Sequence, residues 1–149
     1  MTDELVQRLL DIEEIKKVQA RYFRYVDTKQ WDAIPTLFTD DAYLDLDGNT
    51  FEGATGFAAM LETVIGQAPT VHHGHTPEIE FTGPDRAEAV WAMEDLLSFP
   101  AADDAPPGHR GYGHYTETLR RTGGKWLIER MVLTRTRMDP LENWTTPAA

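Results

Sequence analysis

The chain has no cysteine among its 149 residues. That excludes disulfides, a thiol nucleophile and thiolate metal sites, and it leaves the redox compartment unsignalled. It also has no apolar run approaching the roughly 20 residues that span a bilayer. Its start, MTDELVQRLLDIEEIKK, lacks the layout of a secretory signal, so a soluble cytoplasmic protein is the expectation. Basic residues are scarce: 14 Lys and Arg stand against 25 Asp and Glu, a formal net charge of -11. Such a surface repels phosphate backbones and anionic membranes over a Debye length of about 10 Å, so neither nucleic acid nor membrane is an expected partner. Internal repeats and low-complexity tracts are missing too. With 41% hydrophobic residues, the chain is long enough for one core and short for two. Residues 1–149 therefore read as a single domain.

The hydrophobic period changes along the chain. From Asp3 to about Thr28, Leu5, Leu9, Ile12, Ile15, Val18, Tyr22, Tyr25 and Val26 recur at threes and fours, and Glu13 stands four residues before Lys17. This predicts a long amphipathic helix, with Asp11 and Glu14 as a capping box if the helix restarts there. Trp31 to Phe38 predicts a short second helix with Pro35 in its first turn. Alternation in Ala42 to Leu46, a turn at Asp47-Gly48-Asn49 and a return through Glu52 predict a hairpin. Ala54 to about Gly66 reads as a helix burying Phe57, Met60, Leu61 and Val64. Four strands follow, near His72–Thr82, Arg86–Phe99, Tyr112–Arg121 and Lys125–Arg137, with Ala101 to Gly111 as the long loop. Helices followed by an antiparallel meander predict an α+β fold, a curved sheet wrapped around the long N-terminal helix.

Five polar residues interrupt this framework: Tyr22, Asp27, His72, Asp95 and Arg135. Burying such groups is costly without a purpose. Asp95 shares strand parity with Trp91, Met93, Leu97 and Phe99, so it points inward unless a bulge or a local backbone bond turns it out. Glu94, of opposite parity, reads as solvated. Arg135 shares parity with Leu127, Met131 and Leu133, but also with Glu129; a bulge would reverse it, and a surface cation is the other reading. Arg137 falls at the rim. His73 and His75 share a strand face, but no inward carboxylate lies near them in sequence, which sets a metal site aside. His72 faces the other way and suits a general base oriented by a carboxylate. Asp27 is the candidate for that carboxylate, since an acid at a helix C-terminus is unfavourable by about 0.3–1 kcal/mol and calls for a compensating contact; a plain turn residue is the alternative. Tyr22 is either core or a hydroxyl donor; it lies about 140° from Asp27 around an ideal helix, so both reach one pocket only if the helix end bends.

The stretches Ala20 to Asp32, His72 to Ile79, Trp91 to Asp95 and Gly124 to Ile128 resemble the SnoaL-like branch of the nuclear transport factor 2-like superfamily. Within it the pattern looks most like that of bile acid 7α-dehydratase, with scytalone dehydratase and hexachlorocyclohexane dehydrochlorinase as more distant relatives. The resemblance implies a cone-shaped α+β barrel with an interior active site, in a dimer or trimer. It also places a catalytic tyrosine at Tyr22, the histidine's aspartate at Asp27, the catalytic histidine at His72, a second aspartate at Asp95 and an arginine at Arg135. The implied activity is a cofactor-independent, metal-free dehydratase acting on a small hydrophobic, carbonyl-containing substrate. In it His72 and Asp27 move the proton, Tyr22 with Asp95 holds the oxygen, and Arg135 binds substrate or holds Asp95. An isomerase or cyclase, or a non-catalytic binding or oxygenase-associated subunit, are the alternatives. The 101–111 segment and the short tail after Pro140 depart from the dehydratase pattern, so the substrate stays open.

Overall fold

A computed structural model describes residues 2–99 and 107–141. Helix α1 (Thr2–Asp27) and a 3-10 segment (Trp31–Leu37) precede strands β1 (Phe38–Leu46) and β2 (Asn49–Glu52). Helix α2 (Ala54–Ile65) is then followed by β3 (Thr70–Gly83), β4 (Arg86–Ser98), β5 (Gly108–Thr122) and β6 (Lys125–Pro140). The six strands form one curved sheet in the order β2-β1-β6-β5-β4-β3. The α+β class and the curved sheet against the long helix agree with the sequence reading, but two details of the sheet do not. It is mixed, because β1 pairs parallel with β6, and it is open, with β2 and β3 as edges, so it is not a closed barrel. Parallel pairing of segments so far apart leaves no local signal of the kind a hairpin turn provides.

Helix α1 is continuous through Asp11, so no capping box forms there. Asp11 is instead buried, and its Oδ1 accepts hydrogen bonds from Gln7 Nε2, Arg121 Nη1 and Trp126 Nε1 at 3.0, 2.9 and 3.1 Å. It ties the helix to β5 and β6. The buried stripe starts here and continues through Ile15, Val18, Tyr22, Phe23 and Val26, whereas Leu5 and Leu9 are each 64% exposed. Lys16 and Lys17 pair with Glu13 and Glu14 at i,i+3, in place of the expected Glu13–Lys17 pair. In α2, Phe57 and Leu61 are buried as expected, but Ala58 and Ile65 complete the face while Val64 is exposed. Pro35 lies inside the 3-10 segment.

The stripe of α1 packs on the inward side chains of the sheet, among them Trp91, Met93, Tyr115, Leu119, Ile128, Met131 and Leu133. Burying each large apolar side chain contributes about 1.5–3 kcal/mol. Of the expected 101–111 loop, residues 101–106 lie outside the described residues, while Gly108 to Gly111 already belong to β5. The tail from residue 142 also lies outside them. Among the described residues, no helix is long and apolar enough to cross a membrane.

Candidate active site

Helix α1 ends in a regular Schellman arrangement, not a bend. Gln30 N–H bonds Tyr25 O at 2.8 Å, Lys29 N–H bonds Val26 O at 3.1 Å, and Lys29 takes φ 61. Asp27 therefore leaves the helix toward edge strand β3, while Tyr22 faces the core. Asp27 Oδ1 accepts from Thr70 Oγ1 at 2.9 Å and from His72 Nδ1 at 2.7 Å; Oδ2 accepts the His72 backbone N–H at 3.0 Å. These donors are the compensation that an acid at a helix C-terminus requires. Lys29 Nζ in turn donates to Thr70 Oγ1 at 3.1 Å.

His72 is held from a second side. Its ring stacks on Phe23 with centroids 6.1 Å apart and planes at 17°. The strand can approach so closely because residue 74 is glycine: a Cβ there would meet Phe23 Cε2 at 2.7 Å. With Nδ1 donating to Asp27, the lone pair of His72 lies on Nε2, the tautomer a base requires. An open cleft of about 620 Å³ runs along this side of the molecule and is lined by Phe23, Arg24, Asp27, His72, His73 and His75. That volume is within the range of small-molecule sites.

Asp95 is 5% exposed and lies opposite His72 in the β3–β4 register, on the inward face its parity predicts. Both of its oxygens are engaged by Arg135: Nη1 donates to Oδ1 at 3.1 Å and Nη2 to Oδ2 at 2.7 Å. Burial works against the charge on Arg135, but the hydrogen bonds and charge of Asp95 outweigh it and raise its pKa. Gly111 makes room for the pair, since a Cβ there would collide with Arg135 Nη1 and Asp95 Oδ1. Arg135 comes inward by a route parity missed. Trp126 and Ile128 are the buried residues at the start of β6, and a register shift then leaves Glu129 unmatched against β5. Only after that shift do Met131, Leu133 and Arg135 face inward. A second shift leaves Thr136 unmatched, and Arg137 is exposed beside Asp139.

Tyr22 does not bond Asp95. Its hydroxyl is partnered by Tyr115 in a cage of Phe23, Phe38 and Phe57. Burial pushes its pKa up; the Tyr115 hydrogen bond lowers it, and the charges of Glu117, Asp95 and Asp27 raise it again. Tyr22 thus stays a protonated donor at every ordinary pH. The expected Tyr22–Asp95 pairing resolves into two pairs, Tyr22–Tyr115 and Asp95–Arg135.

Three further groups were not anticipated. His109 on β5 is half-buried, with Nε2 3.7 Å from Asp95 Oδ1 and without a hydrogen-bond partner among the described residues. Burial lowers its pKa, Asp95 raises it, and Arg135 and His72 lower it, with a net downward shift that favours a neutral ring. An unpartnered buried ring nitrogen beside a charged pair is a place for a ligand oxygen. Tyr115 and Glu117 share the inward parity of β5 with Leu119, a signal the sequence did carry.

Glu117 is buried beside the Gln19 amide, which donates to it. Burial pushes its pKa up to about 8, and the approach of Trp91 offsets part of the rise. The folded state therefore holds a proton on Glu117 that the unfolded chain gives up near the ordinary glutamate value of 4.5. Its contribution to stability is fully present below the unfolded pKa and declines by about 1.4 kcal/mol per pH unit until the folded pKa is passed. Glu117→Gln is accordingly expected to flatten the fall in stability between those limits and to be more stable than the parent at pH 9. Urea denaturation followed by tryptophan fluorescence at pH 5, 7 and 9 checks this; parallel profiles for the two proteins would contradict it.

Comparison with known proteins agrees with this architecture. The model of the SnoaL-like domain family matches residues 7–132. "Probable cyclase FGR4" of Gibberella zeae is 24% identical over 133 residues, covering 81% of this chain and 88% of that protein. A proposed scytalone dehydratase from Novosphingobium aromaticivorans superposes with a TM-score of 0.80 at 21% identity, over 95% of this chain and 93% of that one. The hexachlorocyclohexane dehydrochlorinase LinA-type3 of Novosphingobium barchaimii gives a TM-score of 0.82 at 19% identity, over 97% and 99%. Identities this low establish the fold alone. The family match spans most of the chain, and this protein belongs to the SnoaL-like domain family.

Proposed function

We propose that this chain is a cofactor-independent dehydratase that eliminates water from a hydroxyl β, or vinylogous, to a carbonyl. The observation that carries the reading is the 2.7 Å contact between His72 Nδ1 and Asp27, a carboxylate also fixed by Thr70 and by the His72 backbone. A binding module has no need of such a dyad, and neither condition that would favour one holds: the dyad is in contact and Asp95 is buried.

In the proposed reaction His72 Nε2 takes the proton from the carbon next to the carbonyl, and the C–H electron pair forms the enolate. The Tyr22 hydroxyl donates to the enolate oxygen, a contribution of about 3 kcal/mol for a well-placed donor. The enolate then collapses to the conjugated alkene, the C–O bond breaks, and the hydroxyl leaves as water with the proton returned by His72. Arg135 holds Asp95 in place, and His109 offers its free nitrogen to a substrate oxygen. No step calls for a metal or an organic cofactor.

The substrate class is a hydrophobic carbonyl compound of steroid or polyketide size, with a bile-acid derivative as the specific case that the dehydratase resemblance favours. The phenyl ring of Phe23 beside the cleft supports an apolar substrate. Cyclisation or a double-bond shift is the second reading, because both begin with the same proton removal and a relative carries the name of a cyclase. Self-association as a dimer or trimer in the cytoplasm belongs to the same proposal, with exposed Leu5, Leu9 and Leu10 as available apolar surface.

The test is incubation with hydroxylated 3-oxo steroids, bile-acid thioesters and small hydroxy-ketones, followed by ultraviolet absorbance and mass. A conjugated product 18 Da lighter than its substrate supports dehydration; a conjugated product of unchanged mass moves the assignment to isomerisation.

A further inference from the structure

On the outward side of edge strand β3, His73 and His75 converge on Glu94 of β4. His73 Nδ1 lies 3.3 Å and His75 Nε2 3.6 Å from Glu94 Oε1. One ligand atom from each of the three residues lies within 4.8 Å of the others. The sequence offered the two histidines but no carboxylate, because Glu94 is 19 residues beyond His75; the strand register supplies it by setting His73 directly against Glu94.

We infer that these three side chains form a binding site for a divalent transition-metal ion, for which zinc is the natural probe. Tetrahedral ligands about 2.0–2.1 Å from zinc stand about 3.3 Å from one another. Both histidine–glutamate separations are already within a few tenths of an ångström of that value. The His73–His75 separation alone has to close, by rotation of two half-exposed imidazoles on fixed backbone. Two imidazoles and one carboxylate suit zinc and its neighbours over magnesium or calcium, which prefer oxygen ligands. The fourth position goes to water.

The backbone is built to hold the set. Gly74 packs flat against Phe23 and Trp91 on the inward side, which fixes the outward direction of the residues before and after it. Ladder hydrogen bonds of an antiparallel pair fix β3 against β4. The ligands thus stand on rigid strands, where geometry is held better than on loops. Bound metal would staple edge strand β3 to its neighbour. The two histidines also border the cleft beside the His72–Asp27 pair, so the ion would stand at the edge of that cleft.

Isothermal titration of the untagged, EDTA-treated full chain with zinc chloride at pH 7.5 tests the site, with magnesium chloride as the hard-cation comparison. The expected result is one saturable zinc per chain, no magnesium binding, and affinity lowered at least about tenfold in both His75→Ala and Glu94→Gln. His114→Ala, an exposed histidine on β5 outside the set, should bind as the parent does. Histidine ring NMR supplies a readout without any variant: zinc should shift the Cε1–H signals of His73 and His75 and leave that of His114 in place. Absence of saturable binding, undiminished affinity in His75→Ala and Glu94→Gln, or shifts confined to other histidines would each overturn the proposal.

Discussion

Asp27→Asn is expected to lower turnover of a dehydration substrate by about 10²–10⁴-fold, the range that general base catalysis supplies. An asparagine at this position presents an amide NH₂ to Nδ1 of His72. The ring then accepts there and carries its proton on Nε2, where it can no longer take one from carbon. The fold should survive, because the loss of charge-assisted hydrogen bonds at Asp27 costs about 1.5–3 kcal/mol, within the stability of a domain this size. Thr70→Ala removes one of several donors to the same carboxylate and should cost less than Asp27→Asn, about 10- to 100-fold, one hydrogen bond to a charged group contributing about 1.5–3 kcal/mol. Steady-state kinetics beside thermal melts separate the cases: an Asp27→Asn protein that folds and turns over at the parent rate removes Asp27 from the mechanism.

Arg135→Ala is expected to destabilise the protein by about 3–5 kcal/mol, because it leaves the buried Asp95 carboxylate without its bidentate partner. Arg135→Lys retains the charge but not the two-pronged geometry and should recover only part of the loss. The double variant Asp95→Asn/Arg135→Ala should be more stable than Arg135→Ala alone, since the uncompensated charge is gone. Urea titrations of the parent and the three variants measure this. Equal stability of Arg135→Ala and the parent would show that the pair is not energetically coupled.

Those two residues also show how far the sequence could be read. Asp95 was legible because β4 keeps strict alternation from Ala87 to Leu97, so every inward side chain falls on one parity. Arg135 was reached by a flawed route. β6 changes parity at Glu129, so that the apolar face runs through Trp126 and Ile128 and then through Met131 and Leu133; grouping Leu127 with Met131 gave the right side for Arg135 only past the bulge. The helix end at Asp27 and Lys29 could be located from periodicity, but its Schellman closure with a lysine at positive φ has no glycine to announce it. Contacts between distant segments carried no local trace. The Lys29–Thr70–Asp27 chain, His109 beside Asp95, and Glu94 beside His73 all depend on strand register, and the β1–β6 parallel pair depends on the whole topology.

The roles within the site changed accordingly. Tyr22 and Asp95 were expected to share an oxygen, whereas each has its own partner, Tyr115 and Arg135. What unites the site is the His72–Asp27 pair on one side and the Asp95–Arg135 pair opposite it in the β3–β4 register.

The most direct measurement is the rate of conjugated product formation by His72→Ala and by His73→Ala, each beside the parent and each treated with EDTA. These neighbours point to opposite faces of β3, and of the two only His72 contacts Asp27. The account predicts that His72→Ala loses about 10²–10⁴-fold while His73→Ala, which borders the cleft without contacting Asp27, loses far less. Turnover abolished in His73→Ala, or preserved in His72→Ala, would contradict it.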